Sequence, residues 1–152
     1  MKNIRFRISN IFNTLFLIVA FSSMSSCNKG EAKNTPEPNF MDKTVHVSEN
    51  SGRLNPLFSF KDLYETFQNK NNEWYKEDEY WVLKIKNKNE RTHKTDTVMA
   101  YFMISDKVKG NIIASRLVAG GRNLSSQEIY QSFMYFSEAV RKSKEQRNNQ
   151  TK

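Results

Sequence analysis

The chain has 152 residues, is 38% hydrophobic and 26% charged, and carries a formal net charge of +8 with 5 glycines, 3 prolines and one cysteine. This composition excludes a collagen-like or mucin-like polymer and a disulfide-stapled mini-protein. The length leaves room for one small domain rather than a multi-domain enzyme.

The first residues are basic, with Lys2, Arg5 and Arg7 and no acid. An apolar stretch follows from Ile11 to Phe21. It is about a dozen residues long, whereas a membrane span needs roughly 20. A basic start and a short apolar run are the layout of a secretory signal peptide. Next comes Ser22-Ser23-Met24-Ser25-Ser26-Cys27. Small residues directly before a lone cysteine resemble the lipobox of bacterial lipoproteins, with Met24 where that family usually has leucine. The resemblance covers residues 1–27. It implies cleavage before Cys27, acyl chains such as palmitate on the thiol, and a bacterial cell-envelope location, with inner or outer membrane left open. Two or more acyl chains hold a protein stably where one holds it only marginally. The leader takes three positive charges with it, so residues 27–152 carry +5. Acylation of Cys27 also removes the only thiol from catalysis.

The expected organisation has four parts. Residues 1–26 are the signal peptide, and residues 27–39 are the lipidated cysteine and a flexible tether. Residues 40–145 form one domain, and residues 146–152 a frayed tail. The tether is almost devoid of apolar side chains, so ordering it is not offset by burial. Phe40, Met41, Val45 and Val47 either form a short strand or lie against the domain. Ser48 to Arg53 reads as a loop.

Ser59, with Asp62 three residues on, predicts a capped helix carrying Leu63, Tyr64 and Phe67. It ends in the polar run Asn69 to Asn72. Trp74 and Tyr75 follow, and Lys76 to Glu79 reads as a charged turn. Tyr80 to Lys86 alternates as a strand, with Trp81, Leu83 and Ile85 on one side. Thr97 to Ser105 is apolar on both faces and should be central. Asp106 to Gly110 is a hairpin loop with Gly110 left-handed. Asn111 to Ala119 is a third strand. Strict alternation puts Ile113, Leu117 and Ala119 on one side and Ile112, Ala114 and Val118 on the other. Gly120-Gly121 breaks the sheet. Ser125 and Glu128 then cap a last helix with a stripe of Ile129, Phe133, Phe136 or Ser137, and Val140, widened by Tyr130 and Met134.

The expected fold class is α+β: a small three-stranded antiparallel meander with a helix before it and a helix after it. Its second face would hold Tyr80, Val82, Met99, Tyr101, Met103 and Val118. That is more apolar surface than a solvated face needs, so either the segment around Val45 and Val47 or a partner should cover it.

Candidate chemistry is thin. His46 and His93 are far apart and lack ligand spacing, so no metal is expected. No P-loop, nucleophile elbow or HExxH is present. Glu77, Asp78 and Glu79 read as a solvated turn rather than a carboxylate pair. Gly120-Gly121-Arg122-Asn123 before a capped helix suggests a turn, or an anion site helped by Arg122. Lys84, Lys86, Lys88, Arg91 and Lys94 form a basic hairpin, read as solvated or as contacting anionic lipid, cell-wall polymer or an acidic protein. A secreted protein meets little nucleic acid, so none is expected as partner.

The resulting expectation is a non-enzymatic envelope lipoprotein without cofactor, apart from the covalent lipid on Cys27. It would serve as a protein-binding module or accessory subunit of a membrane-associated complex. Its partners are membrane lipid, through Cys27, and another envelope protein. The candidate binding residues are Tyr80, Val82, Met99, Tyr101, Met103, Lys84, Lys86, Lys88, Arg91 and Arg122. The alternatives are an inhibitor or immunity-type lipoprotein, or a small envelope enzyme or ligand carrier. The last would need a deep pocket with converging polar groups.

Overall fold

The computed structural model describes residues 35–69, 71–88 and 95–150. The leader, Cys27, Arg91, His93 and Lys94 lie outside them. In chain order the elements are α1 (Pro38–Met41), β1 (Thr44–Ser48), β2 (Leu54–Ser59), α2 (Phe60–Thr66), β3 (Asn72–Glu77), β4 (Tyr80–Lys88), β5 (Thr95–Ser105), a 3-10 turn (Asp106–Val108), β6 (Asn111–Ala119), β7 (Arg122–Asn123) and α3 (Ser126–Gln150).

The seven strands form one mixed sheet in the order β2-β1-β6-β5-β4-β3, with β7 on β6. This corrects the expected fold: the three-stranded meander β4-β5-β6 is only the middle of a seven-stranded sheet. β1 realises the short-strand alternative for Val45 and Val47, β2 forms where no strand is expected, and β3 and β7 form in segments read as a polar helix end, a charged turn or a glycine break. Val45 and Val47 do not cover the second face; they extend the sheet, with β1 parallel to β6 through Val45↔Ile112 and His46↔Ile113. β2 pairs antiparallel with β1. β3 pairs antiparallel with β4 from Asn72↔Ile85 to Glu77↔Tyr80. Only Asp78 and Glu79 form the turn, and Asp78 takes the left-handed φ of 53° that a two-residue hairpin needs.

β6 contains a shift that strict alternation misses. Tyr101 faces Arg116 and Phe102 faces Ala114, so Ser115 is an extra residue in β6. A bulge of this kind reverses the parity beyond it. Ile112, Ala114 and Leu117 therefore share the core, with Ala119 packed against it. Ile113 and Val118 pair with Met103 and Met99 on the opposite face. Gly120 and Gly121, with φ of 58° and 78°, turn the chain back so that β7 pairs with β6. The glycines fold the sheet edge back on itself rather than ending it.

Both helix caps form as local chemistry dictates. Ser59 Oγ accepts from Asp62 N–H at 3.1 Å. Glu128 accepts from Ser125 N–H at 2.9 Å, and Ser125 Oγ accepts from Glu128 N–H at 3.4 Å. α3 buries Phe133, Phe136, Ala139 and Val140, so Phe136 rather than Ser137 takes the core position. Met134 is exposed, and the helix continues to Gln150, beyond the point where fraying was expected.

All three helices bury their apolar side chains on one face of the sheet. Phe102 of β5 is the hub there: its ring meets Phe60 of α2 at 5.6 Å, Phe133 of α3 at 5.8 Å and Trp74 of β3 at 6.0 Å. Phe40 of α1 packs edge-on to Phe60 and Trp81. The end of the expected tether is docked too. Pro36 is buried, and Glu37 accepts from Trp81 Nε1 at 2.9 Å and from Lys76 Nζ. Among the described residues no helix is long and apolar enough to cross a membrane.

Candidate functional site

The sheet face away from the helices gathers most of the residues singled out in the sequence. β-strand parity places Tyr80, Val82, Lys84 and Lys86 of β4 on it, together with Met99, Tyr101 and Met103 of β5. The pairings Val82↔Tyr101 and Lys84↔Met99 set them side by side. No described helix contributes to the packing around these side chains. Val82 and Tyr101 are nonetheless buried, and they stand outside the main hydrophobic core. Met99, Met103, Tyr80 and Tyr75 are half-buried.

Long side chains from neighbouring strands meet on this face. One cross-strand row runs Tyr75, Val82, Tyr101, Arg116 over β3, β4, β5 and β6. The Arg116 guanidinium carbon lies 3.6 Å from the Tyr101 ring centroid. Tyr80 meets the same ring edge-on at 6.0 Å. Tyr75 and Tyr101 hydroxyls donate to Met99 Sδ at 3.7 and 4.0 Å. Burial raises the Tyr75 phenol above its ordinary pKa, with nearby Tyr101 adding to the effect. The centre is thus aromatic and sulfur-rich, under a cation.

The rim is charged. Glu73 bridges Lys84 at 3.5 Å and also pairs with Lys86. The Lys86 hydrogen bond is the main reason the Glu73 carboxyl titrates below its ordinary range. Glu77 faces Arg116 at 4.0 Å. The basic hairpin is therefore partly neutralised from β3, a strand the sequence reading did not anticipate. Lys88 lies exposed at the end of β4.

Two of the residues singled out, Arg122 and His46, fall elsewhere. Arg122 is not on this face. It holds Glu128 with two nitrogens, at 2.6 and 3.1 Å, and so closes the α3 cap rather than an anion site. That contact, ahead of the Ser125 hydrogen bonds, holds the Glu128 carboxyl down to about 2. His46 Nδ1 lies 3.1 Å from the Thr44 carbonyl oxygen. Among the described residues no three His, Cys, Asp or Glu side chains gather as a metal site.

Sequence reasoning missed Tyr75, Arg116, Glu73 and Glu77 as members of the face. The signal for the β3 residues was present: Asn72 to Glu77 alternates, and two residues separate it from Tyr80. Arg116 had a signal as well: it is two residues from Val118, which alternation places on this face.

The fold defines the class as an α+β domain, a mixed sheet with helices on one face and an aromatic, cation-capped surface on the other. The chain matches no protein family, no curated protein and no solved structure.

Proposed function

We propose that this chain is a non-enzymatic lipoprotein of a bacterial envelope, anchored through Cys27, whose domain binds another envelope protein through the open sheet face. One observation supports the binding reading above the rest. A centre of Tyr75, Tyr80, Tyr101, Met99 and Met103 under Arg116, rimmed by Glu73, Lys84 and Lys86, lies on a face that no described helix covers. Protein interfaces favour tyrosine, methionine and arginine at their centre and place charge at the rim. Lipidation restricts the domain to the membrane surface and raises its local concentration beside other envelope proteins.

The test has two independent arms. In cells fed labelled palmitate, the full chain should take up label and Cys27→Ala should not, and the mature N-terminal peptide should begin at Cys27. Finding residues 1–26 intact in the mature protein overturns the anchoring. In a mild-detergent pull-down, the wild type should retain a stoichiometric envelope protein that Met103→Glu loses while keeping its melting temperature. Equal retention by both overturns the open face as the docking surface.

A further inference from the structure

We infer that Met99 is a modification site: hydrogen peroxide oxidises its thioether to a sulfoxide, and the hydroxyls of Tyr75 and Tyr101 are placed to assist the transfer and to hold the new oxygen. The inference concerns the chemistry of this side chain and stands whether or not the open face docks a partner.

The geometry around one sulfur carries the case. Tyr75 lies on β3 and Tyr101 on β5, with Val82 of β4 paired between them. Both hydroxyls nevertheless end at Met99 Sδ, at 3.7 and 4.0 Å. Tyr101 also acts directly on the Tyr75 phenol, so the two hydroxyls neighbour each other as well as the sulfur. A thioether is a weak acceptor. Contacts of this length to it are loose and leave its lone pair available. Met99 is half-buried, on the face that no described helix covers.

Met103 supplies the comparison. It lies farther along β5 on the same face, and it is half-buried too. Among the described residues no hydroxyl donates to its sulfur. Met134 on α3 is exposed, so it reports the reactivity of an open thioether.

The reaction consumes one peroxide. A lone pair on Met99 Sδ attacks one peroxide oxygen, and the S–O bond forms as the O–O bond breaks. The sulfur loses the two electrons that the peroxide gains. The proton on the transferred oxygen passes to the departing hydroxide, which leaves as water. A phenol relays that proton by giving its own to the hydroxide and taking the other. The sulfoxide oxygen is polar where the thioether was not, and such an oxygen disrupts packing when it has no partner. At Met99 an oxygen added on the phenol side comes within hydrogen-bond reach of two donors. Met99 belongs to the proposed docking centre, so the same polar group would weaken docking under peroxide; only that consequence rests on the docking reading.

The full chain in mild detergent is treated with limiting hydrogen peroxide, and fragment-ion mass spectrometry follows the added oxygen at each methionine. In the folded chain Met99 should oxidise about threefold or more faster than Met103, the ratio that one ordinary neutral hydrogen bond supplies. In urea the two rates should be equal. Tyr75→Phe loses only the hydroxyl; it should bring the Met99 rate down toward that of Met103 and leave Met134 unchanged. One sulfoxide epimer should predominate at Met99, read by which epimer-specific methionine sulfoxide reductase removes it. The inference is overturned if Met99 oxidises no faster than Met103 in the folded wild type, or if its preference persists in urea. It is also overturned if Tyr75→Phe keeps or increases that preference, or if both epimers form equally. The wild-type rates and the epimer ratio decide the matter even where Tyr75→Phe fails to fold.

Discussion

The guanidinium carbon of Arg116 lies over the ring of Tyr101, 3.6 Å from its centroid, on the face of the sheet that no described helix covers. A strand residue on β6 thus closes over a strand residue on β5 whose ring is buried. The contact depends on the pairing Tyr101↔Arg116, which exists only because β6 is bulged.

Arg116→Ala should therefore expose Tyr101 without opening the helix-side core. A cation–π contact at a partly exposed site is worth about 0.5–1 kcal/mol. For a domain of this size that lowers the melting temperature by roughly 4–8 °C per kcal/mol. Tyrosine fluorescence and thermal melts measure both effects. An unchanged Tyr101 environment in the variant would show that the cation is incidental.

Phe102→Ala should be far more damaging. Phe102 is fully buried and joins β5 to α2, α3 and Trp74 at once. Removing such a ring costs about 3–5 kcal/mol. Chemical denaturation should show that loss. Met103→Ala, one residue along on the half-buried face, should lose much less.

The α3 cap should be sensitive to acid. Ser125→Ala should cost about 1 kcal/mol, the usual value for an N-cap serine. Glu128 has a folded-state pKa of about 2, below its ordinary value of 4.5. A depressed carboxyl stabilises the fold fully above the ordinary value, and its contribution fades as pH falls through 4.5 toward 2. The melting-temperature gap between wild type and Glu128→Gln should thus be widest near neutrality and should shrink on acidification. A gap that stays constant down to pH 2 would contradict the ion pair.

Glu37 should act as a clip on the incoming chain. Its carboxyl is held below the ordinary range first by Lys76 and then by Trp81. The clip should hold at neutral pH and release only as pH falls below the ordinary carboxylate range. Glu37→Ala should speed exchange of the Trp81 indole N–H while hardly moving the melting temperature, because exposed ion pairs contribute little. NMR of the indole proton reads this directly.

Some elements were legible because their causes are local. Ser59 with Asp62 and Ser125 with Glu128 announce their helices within four residues, and both caps form. The alternation of Trp81, Leu83 and Ile85 names the buried side of β4. β1, β2 and β3 were not legible in the same way. Val45 becomes a sheet residue only beside Ile112, and Trp74 only beside Leu83. The bulge at Ser115 put Ile112 and Ala114 on the core side with Leu117, and Ile113 on the other face, with no glycine or proline to mark it.

The amino-acid order alone settled the caps, the central strand β5 and the buried side of β4, because these follow from hydrogen bonds and periodicity within a few residues. Only the tertiary structure decided that the meander sits inside a seven-stranded sheet, that Arg116 covers Tyr101, and that Arg122 closes a helix cap. Each of those depends on which distant segments pair and in what register. Strand pairing is made between main chains, and main chains are the same in every sequence.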